Sequence, residues 1–394
     1  MITDPVAVLV VLAGVVYVAV RLEETYHWAR SLGSALMGIL MGMVLSNTGV
    51  LPGENETYRF LVGPGVSVGI VLILFSVDVR TVFSAGPKML AAFGIGVVGT
   101  AAGAITGGLM WSGLVGPETW KLSGQFTGTY TGGGVNFAAL GEAFDTAPEM
   151  FTAGIAADVI ITAIWLAVCL TVPVVFARWN PRGASSEVEG GHAAADARTA
   201  SGTASDDGSL EQTLFASRRP LKLADVAALV ALGIGTVWAA ERIGELVPVL
   251  PGVLWLTTLA ILLAQLPVVR NLAGSAVIGN YLVLLFLASN GARSVVANIV
   301  EVGPGVFYFA MTTVAIHGLV IFGVGRMAGI EFGTLAVASQ ANIGGPGSAI
   351  ALASARGYAS KLLPGVAVGL LGYALGNYFG YFIGNNVMRV ILGG

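Results

Sequence analysis

A chain of 394 residues with 55% apolar and only 10% charged side chains, and a mean hydropathy of +0.83, carries too little charge to cover a water-facing surface. Soluble domains are about 25% charged, so lipid must solvate much of this chain. The net charge of −3 says little about partners, but no basic patch is present for nucleic acid; one cysteine, Cys169, excludes a disulfide framework, and three scattered histidines argue against a metal centre.

Ten apolar stretches are long enough to cross a bilayer, near 4–21, 31–50, 58–77, 88–112, 150–177, 221–242, 249–268, 273–291, 303–327 and 362–390. The first is expected to be a retained span: no basic stretch precedes it, no small-residue cleavage site follows, and Arg21 and Arg30 lie after it. Lys and Arg set the orientation. Arg21, Arg30, Arg80, Lys88, Arg178, Arg182, Arg218, Arg219, Lys222, Arg270, Arg326, Arg356 and Lys361 mark inside loops, and Glu54 and Glu56 suit an outside one.

That parity leaves no net crossing in 113–149 or in 328–361. Each of these glycine-rich segments dips in and returns, or is a broken helix pair. Five spans per half, an odd number, turns the halves upside down relative to each other, as in the inverted repeats of many secondary transporters. Between the halves, residues 183–217 carry six acids against one Arg among Gly, Ala and Ser, the composition of a disordered tether. The expected organisation is a first membrane repeat over 1–178, a cytoplasmic linker over 179–219 and a second repeat over 220–394.

The repeat is visible at an offset of 344 − 132 = 212 residues, which aligns Gly132 with Gly344, Gly133 with Gly345, Ala139 with Ala351, Leu140 with Leu352 and Ala143 with Ala355. Asn136 falls on Ser348, and Asp78 on Asn290. A second glycine pattern is a decoy. Gly94, Gly96 and Gly99 match the dinucleotide fingerprint by letter, but they lie inside an apolar span and continue as Gly103 and Gly107, the spacing of close helix packing. Gly372, Gly376, Gly380 and Gly384 repeat the device.

The breaks at Gly132, Gly133 and Gly134, and at Gly344, Gly345, Pro346 and Gly347, interrupt the helical ladder and free backbone groups that a membrane tolerates only beside protein or a water-filled cavity. Ser123, Gln125, Thr127, Thr129, Tyr130, Thr131 and Asn136 gather at the first break, and Ser339, Gln340, Asn342 and Ser348 at the second. Helix starts after the glycines would aim positive dipole ends at an anion, and freed carbonyls would hold a cation. The substrate-binding set expected from this is Thr129, Thr131, Gly132, Gly133, Gly134, Asn136, Ser339, Asn342, Gly344, Gly345 and Ser348. The plainer reading is a pair of tight turns between packed helices. Asp158, an acid among apolar neighbours within a span, is the expected ion-coupling residue, for Na⁺ or H⁺; capping of the broken backbone is its alternative. His317 would contact the second break or a substrate, or make a structural hydrogen bond. Glu142, Asp145 and Glu331 suit the membrane surface.

The runs Ile316-His317-Gly318-Leu319, Gly325-Arg326 and Ala338 to Ala349, with Thr127 to Asn136 as a first-half motif, resemble the YjcL-like membrane proteins, domain of unknown function 819. The resemblance covers nearly the whole chain. It implies a distant relation to the cation/proton antiporter and anion transporter superfamily, with crossing broken helices and an elevator-like motion of a core against a scaffold. The expected fold class is an all-α integral membrane bundle of two inverted repeats, each with a discontinuous Gly-rich helix or re-entrant segment, with 10–12 spans. The expected function is ion-coupled secondary transport of a small organic solute, with an organic anion as one class, in the plasma membrane. Its partners are then the lipid bilayer and the solute, a homodimer is compatible, and no cofactor beyond the coupling ion is expected. A non-transporting membrane sensor or assembly partner is the alternative. No acid–base or nucleophile constellation beyond isolated Asp158 and His317 suggests an enzyme.

Overall fold

The computed structural model describes residues 1–177, 220–247 and 251–393; the linker expected over 179–219 lies outside them. No strand occurs among the described residues. In chain order the helices of ten or more residues are α1 (Pro5–Thr25), α2 (His27–Asn47), α3 (Glu56–Leu74), α4 (Pro87–Val115), α5 (Thr119–Gly132), α6 (Gly134–Ala143) and α7 (Pro148–Ala177). They continue with α8 (Leu223–Leu246), α9 (Gly252–Ala264), α10 (Ser275–Arg293), α11 (Val296–Met327), α12 (Phe332–Ala355) and α13 (Ala359–Leu392). Eight of these are long and apolar enough to cross a membrane, and two shorter apolar helices, Leu32–Asn47 and Gly252–Ala264, fall where the remaining two spans are expected. The chain is a polytopic helical membrane protein.

The glycine-rich segments are not among those crossings. Side chains and backbone of α5 and α6 pair like the arms of a hairpin. Glu118 Oε2 accepts from Ala147 N at 3.0 Å, Lys121 Nζ donates to the Asp145 carbonyl at 2.7 Å, Gln125 Oε1 accepts from Thr146 at 3.0 Å, and Asn136 Nδ2 donates to the Gly128 carbonyl at 3.3 Å. The segment therefore goes in and comes back on the side it left from. α12 does the same about Gly345: Val337 on one arm and Ala349 on the other face the same glycine, Gly365, and Glu331 before the helix meets Lys361 after it at 2.8 Å. Of the two forms the sequence left open, both breaks are re-entrant hairpins. The crossing form implied by the family resemblance does not occur.

Packing fixes the direction of the long helices. Along α4 and α11, Gly96 faces His317, Gly103 faces Thr313, Gly107 faces Phe309 and Leu114 faces Gly305, so the two run antiparallel. α7 runs parallel to α11, with Thr152 on Ser294, Trp165 against Gly318 and Phe176 stacked on Phe332. The first hairpin follows the C-terminal end of α4, whereas the base of the second lies beside Pro87 and Lys88 at the N-terminal end of α4. The hairpins thus enter from opposite sides. α13 spans both: Gly365 and Gly369 lie on the second hairpin, and Gly372, Gly376 and Gly380 on the first.

The glycine ridge on α4 is a backbone-to-backbone seam. A Cβ at Gly103 would collide with the Thr313 main chain, while one at Gly94 would meet nothing within 4 Å. Gly103→Ala is therefore expected to cost about 1–3 kcal/mol by overpacking, and Gly94→Ala close to nothing. Melting temperatures of the two purified variants check this, and equal values would contradict the seam.

Candidate functional site

Each hairpin turns on one glycine in a conformation that side chains rarely tolerate. Gly133 has φ 100° and ψ 174°, and Gly345 has φ 73° and ψ −167°, a region occupied almost solely by glycine. Pro346 follows at the first position of the returning arm, where a missing N–H costs nothing. The two tips touch. A Cβ on Gly133 would lie 3.6 Å from Gly345 Cα, and one on Gly345 would lie 3.4 Å from the Gly132 carbonyl. Depth follows from Thr100, near the middle of the 29-residue α4, whose hydroxyl donates to the Tyr130 carbonyl just before the first tip at 2.8 Å. The junction is therefore close to mid-membrane.

Four helix ends converge there: the C-terminal carbonyl ends of the inbound arms and the N-terminal amide ends of the outbound arms. A helix N-terminus carries about half a positive charge and its C-terminus about half a negative one. Around these ends lie polar atoms that are fully buried and unpaired: Thr129 Oγ1, Thr131 Oγ1, Asn136 Oδ1, Asn342 Oδ1 and both polar atoms of the Gln340 carboxamide. Both asparagines use their amide N–H groups as struts. Asn136 Nδ2 donates to the carbonyls of Gly128 and Gly372, and Asn342 Nδ2 donates to that of Thr131 at 3.5 Å. Their oxygens are left over. Buried polar atoms are almost always paired in folded proteins, so such a cluster calls for a bound partner. Openness also differs locally: Gly134 is exposed, and Gly344 and Ser348 are half-buried, while Thr129, Thr131, Gly132, Gly133, Asn136, Asn342 and Gly345 are buried. Ser348 faces Gln340 within the second hairpin, since a Cβ on Gly344 would meet both side chains.

His317 and Ser339 have a different environment, because their bonds are all made. His317 Nδ1 lies 3.0 Å from the Gly96 carbonyl and 2.9 Å from Thr100 Oγ1, and Nε2 lies 2.9 Å from Ser339 Oγ. A carbonyl only accepts, so Nδ1 carries the proton and Nε2 accepts from the Ser339 hydroxyl. Ser339 Oγ in turn accepts from Trp165 Nε1 at 2.9 Å. Through Thr100 and Tyr130, this knot ties α4, α5, α7, α11 and α12 together right behind the tips. His317 is a fixed neutral imidazole positioning both hairpins.

Asp158 sits on α7, half-buried, beside the Tyr130 hydroxyl, and it accepts from Thr162 Oγ1 at 3.4 Å. It approaches the first hairpin through the side of its inbound arm. Tyr130 itself heads a run of rings, stacked on Phe126, which packs on Phe137, then Phe151 and then Phe286 of α10.

At the membrane surface each hairpin base carries a lysine–glutamate pair: Lys121 with Glu118 at 2.5 Å on the inbound side of the first, each also bonded across to 145–147, and Lys361 with Glu331 at 2.8 Å at the second. Burial pushes the Glu331 carboxyl up, but hydrogen bonds from Lys361 and Thr334 and the charges of Lys361 and Lys88 outweigh it and hold the group below its usual range. A lowered folded value means that this stabilisation is fully present above the unfolded pKa of about 4.3 and is lost as pH falls through the folded one. The Glu331 side chain is 43% exposed, so solvent screening limits the pair's worth to at most about 1 kcal/mol. The melting gap between the native protein and Glu331→Gln is expected to be constant from pH 7 to about 5 and to close below about pH 4; a gap that widens on acidification would contradict this. Asp145 keeps its carbonyl in the other clamp, and Asp78, aligned with Asn290 by the repeat, instead pairs with Arg270 at 2.7 Å.

One residue at the junction carried no recognisable signal. Tyr373 of α13 lies across both tips, its ring edge 3.3 Å from a Cβ built on Gly133 and 3.4 Å from one built on Gly345. Its place one residue after Gly372, on the glycine ridge, is the only hint in the sequence.

Against known proteins, a family model described as "Protein of unknown function (DUF819)" matches residues 7–390. The uncharacterized membrane protein YjcL of Bacillus subtilis (strain 168) is 29% identical over 382 residues, covering 93% of this chain and 93% of that protein.

Proposed function

Because the chain belongs to the DUF819 family of membrane proteins, and because unpaired buried polar atoms surround two touching hairpin tips, we propose that it is an ion-coupled secondary transporter of a small organic solute. The solute binds at the tip junction. The unpaired oxygens and carboxamide are the observation that carries this reading, since a purely structural turn would have no use for them. Two outbound-arm N-termini with no lysine or arginine beside them among the described residues favour an organic anion, held by amide dipoles rather than by a fixed cation. Asp158 serves the coupling ion, Na⁺ or H⁺.

Alternating access fits the arrangement. Antiparallel α4 and α11, and hairpins entering from opposite sides, support two inverted repeats, each opening its own route to a shared site. A distant relation to the cation/proton antiporter and anion transporter superfamily, residence in the plasma membrane and an elevator-like displacement of the hairpin-bearing core belong to the same reading.

Thr131→Val tests the site without disturbing the fold, because it removes an atom that has no protein partner. The empty variant should melt at or above the native temperature. A solute found by thermal-shift screening should bind it about 5–10-fold more weakly, the worth of one hydrogen bond of about 1 kcal/mol. Unchanged affinity in both Thr131→Val and Thr129→Val would remove the tips as the site.

A further inference from the structure

Outside the hairpin junction, α7 and α11 leave a groove of about 520 Å³ on the membrane-facing side, independent of whatever the tips bind. Its floor is Trp165 and Gly318, where only glycine lets the indole lie against the α11 backbone. Phe176 and Phe322 form its walls, and Gly323 lowers one rim. From Ala315 to Arg326 the groove follows twelve residues of helix, a rise of about 16 Å at 1.5 Å per residue. That is about half of the ~30 Å hydrocarbon core, the depth of one leaflet.

The groove is apolar along its length and cationic at one end. The Arg326 guanidinium is exposed, lies 5.6 Å from the Phe332 ring that steadies it, and pairs with no carboxylate among the described residues. The same membrane face holds Lys88, Arg356 and Lys361. An acyl chain fits the apolar part, and a negative headgroup at the interface fits the cation at its mouth.

We propose that this groove is a binding site for an anionic phospholipid, with one acyl chain between Trp165 and Phe322 and the headgroup phosphate on Arg326. The bound chain would lie on the indole whose Nε1 holds Ser339 and, through it, His317, so lipid occupancy bears on the rigidity of the knot behind the hairpins.

The test uses the full-length protein in detergent, with phosphatidylglycerol or phosphatidylcholine of identical chains added. The native protein should be stabilised several degrees more by phosphatidylglycerol. Arg326→Gln should erase the difference between the lipids. Gly323→Leu, whose side chain has open space to enter, should fill the groove and reduce stabilisation by both. Equal stabilisation of the native protein by the two lipids would overturn the proposal, and so would a preference that survives both variants. Stabilisation by inorganic phosphate alone would also overturn it, by reassigning Arg326 to a free anion. A phosphatidylglycerol with a photoreactive acyl chain provides a check on the unmodified protein: crosslinks should concentrate in 315–326 and 165–176, and crosslinks spread evenly over the membrane surface would refute the site.

Discussion

His317→Ala is expected to lose about 3–5 kcal/mol of stability, the largest loss of any single substitution at the core of this molecule. The imidazole is fully buried and touches Gly96, Thr100 and Ser339. Removing it takes one partner from each of three polar groups on two other helices, at about 1–3 kcal/mol for each group that finds no replacement, and adds a cavity. Trp165→Phe removes only one bond of the same knot and should cost about 1 kcal/mol. Thermal or denaturant unfolding in detergent compares the two. A His317→Ala protein that unfolds together with the native one would show that the knot does not hold the hairpins.

Asp158→Asn is expected to abolish the dependence of transport on its driving ion, lowering gradient-driven uptake about tenfold or more while leaving solute-induced stabilisation in place. An ionised carboxylate inside a membrane span is costly unless a cation or proton compensates it. The asparagine keeps the size of the side chain and an oxygen for Thr162. What it loses is the charge. Uptake by the variant that keeps its full ion dependence would take Asp158 out of the coupling role.

Much of the architecture was legible in the sequence. The ten apolar stretches coincide with eight long and two short apolar helices, because hydrophobic length is dictated by bilayer thickness and leaves few alternatives. The no-net-crossing segments were legible from arginine and lysine positions, which anticipated that 113–149 and 328–361 return to their own side. The form of the break was not legible. A glycine pair interrupts a crossing helix and turns a hairpin with the same residues, and the deciding contacts, such as Glu118 with Ala147 and Glu331 with Lys361, depend on distant partners.

At the site, glycine, threonine and asparagine positions were readable as a polar interruption of an apolar segment, and the tips do bring Thr131, Gly132, Gly133, Asn342 and Gly345 together. Which polar side chains are spent on structure was not readable. Ser339 and Thr131 look alike in the sequence, yet Ser339 is saturated by His317 and Trp165 while the Thr131 hydroxyl is unpaired. Trp165, Thr100 and Tyr373 act through contacts across 28 or more residues of chain, which single-sequence periodicity does not register.

Solute flux bears most directly on the central claim that the touching hairpins are a transport site. Purified protein in proteoliposomes, offered a panel of small organic solutes with and without a Na⁺ or pH gradient, is expected to accumulate at least one solute only when the gradient is imposed, and Thr131→Val should weaken its half-saturation. A solute that stabilises the protein through these hairpins but never crosses the membrane under either gradient would contradict the account and make the chain a binding protein instead.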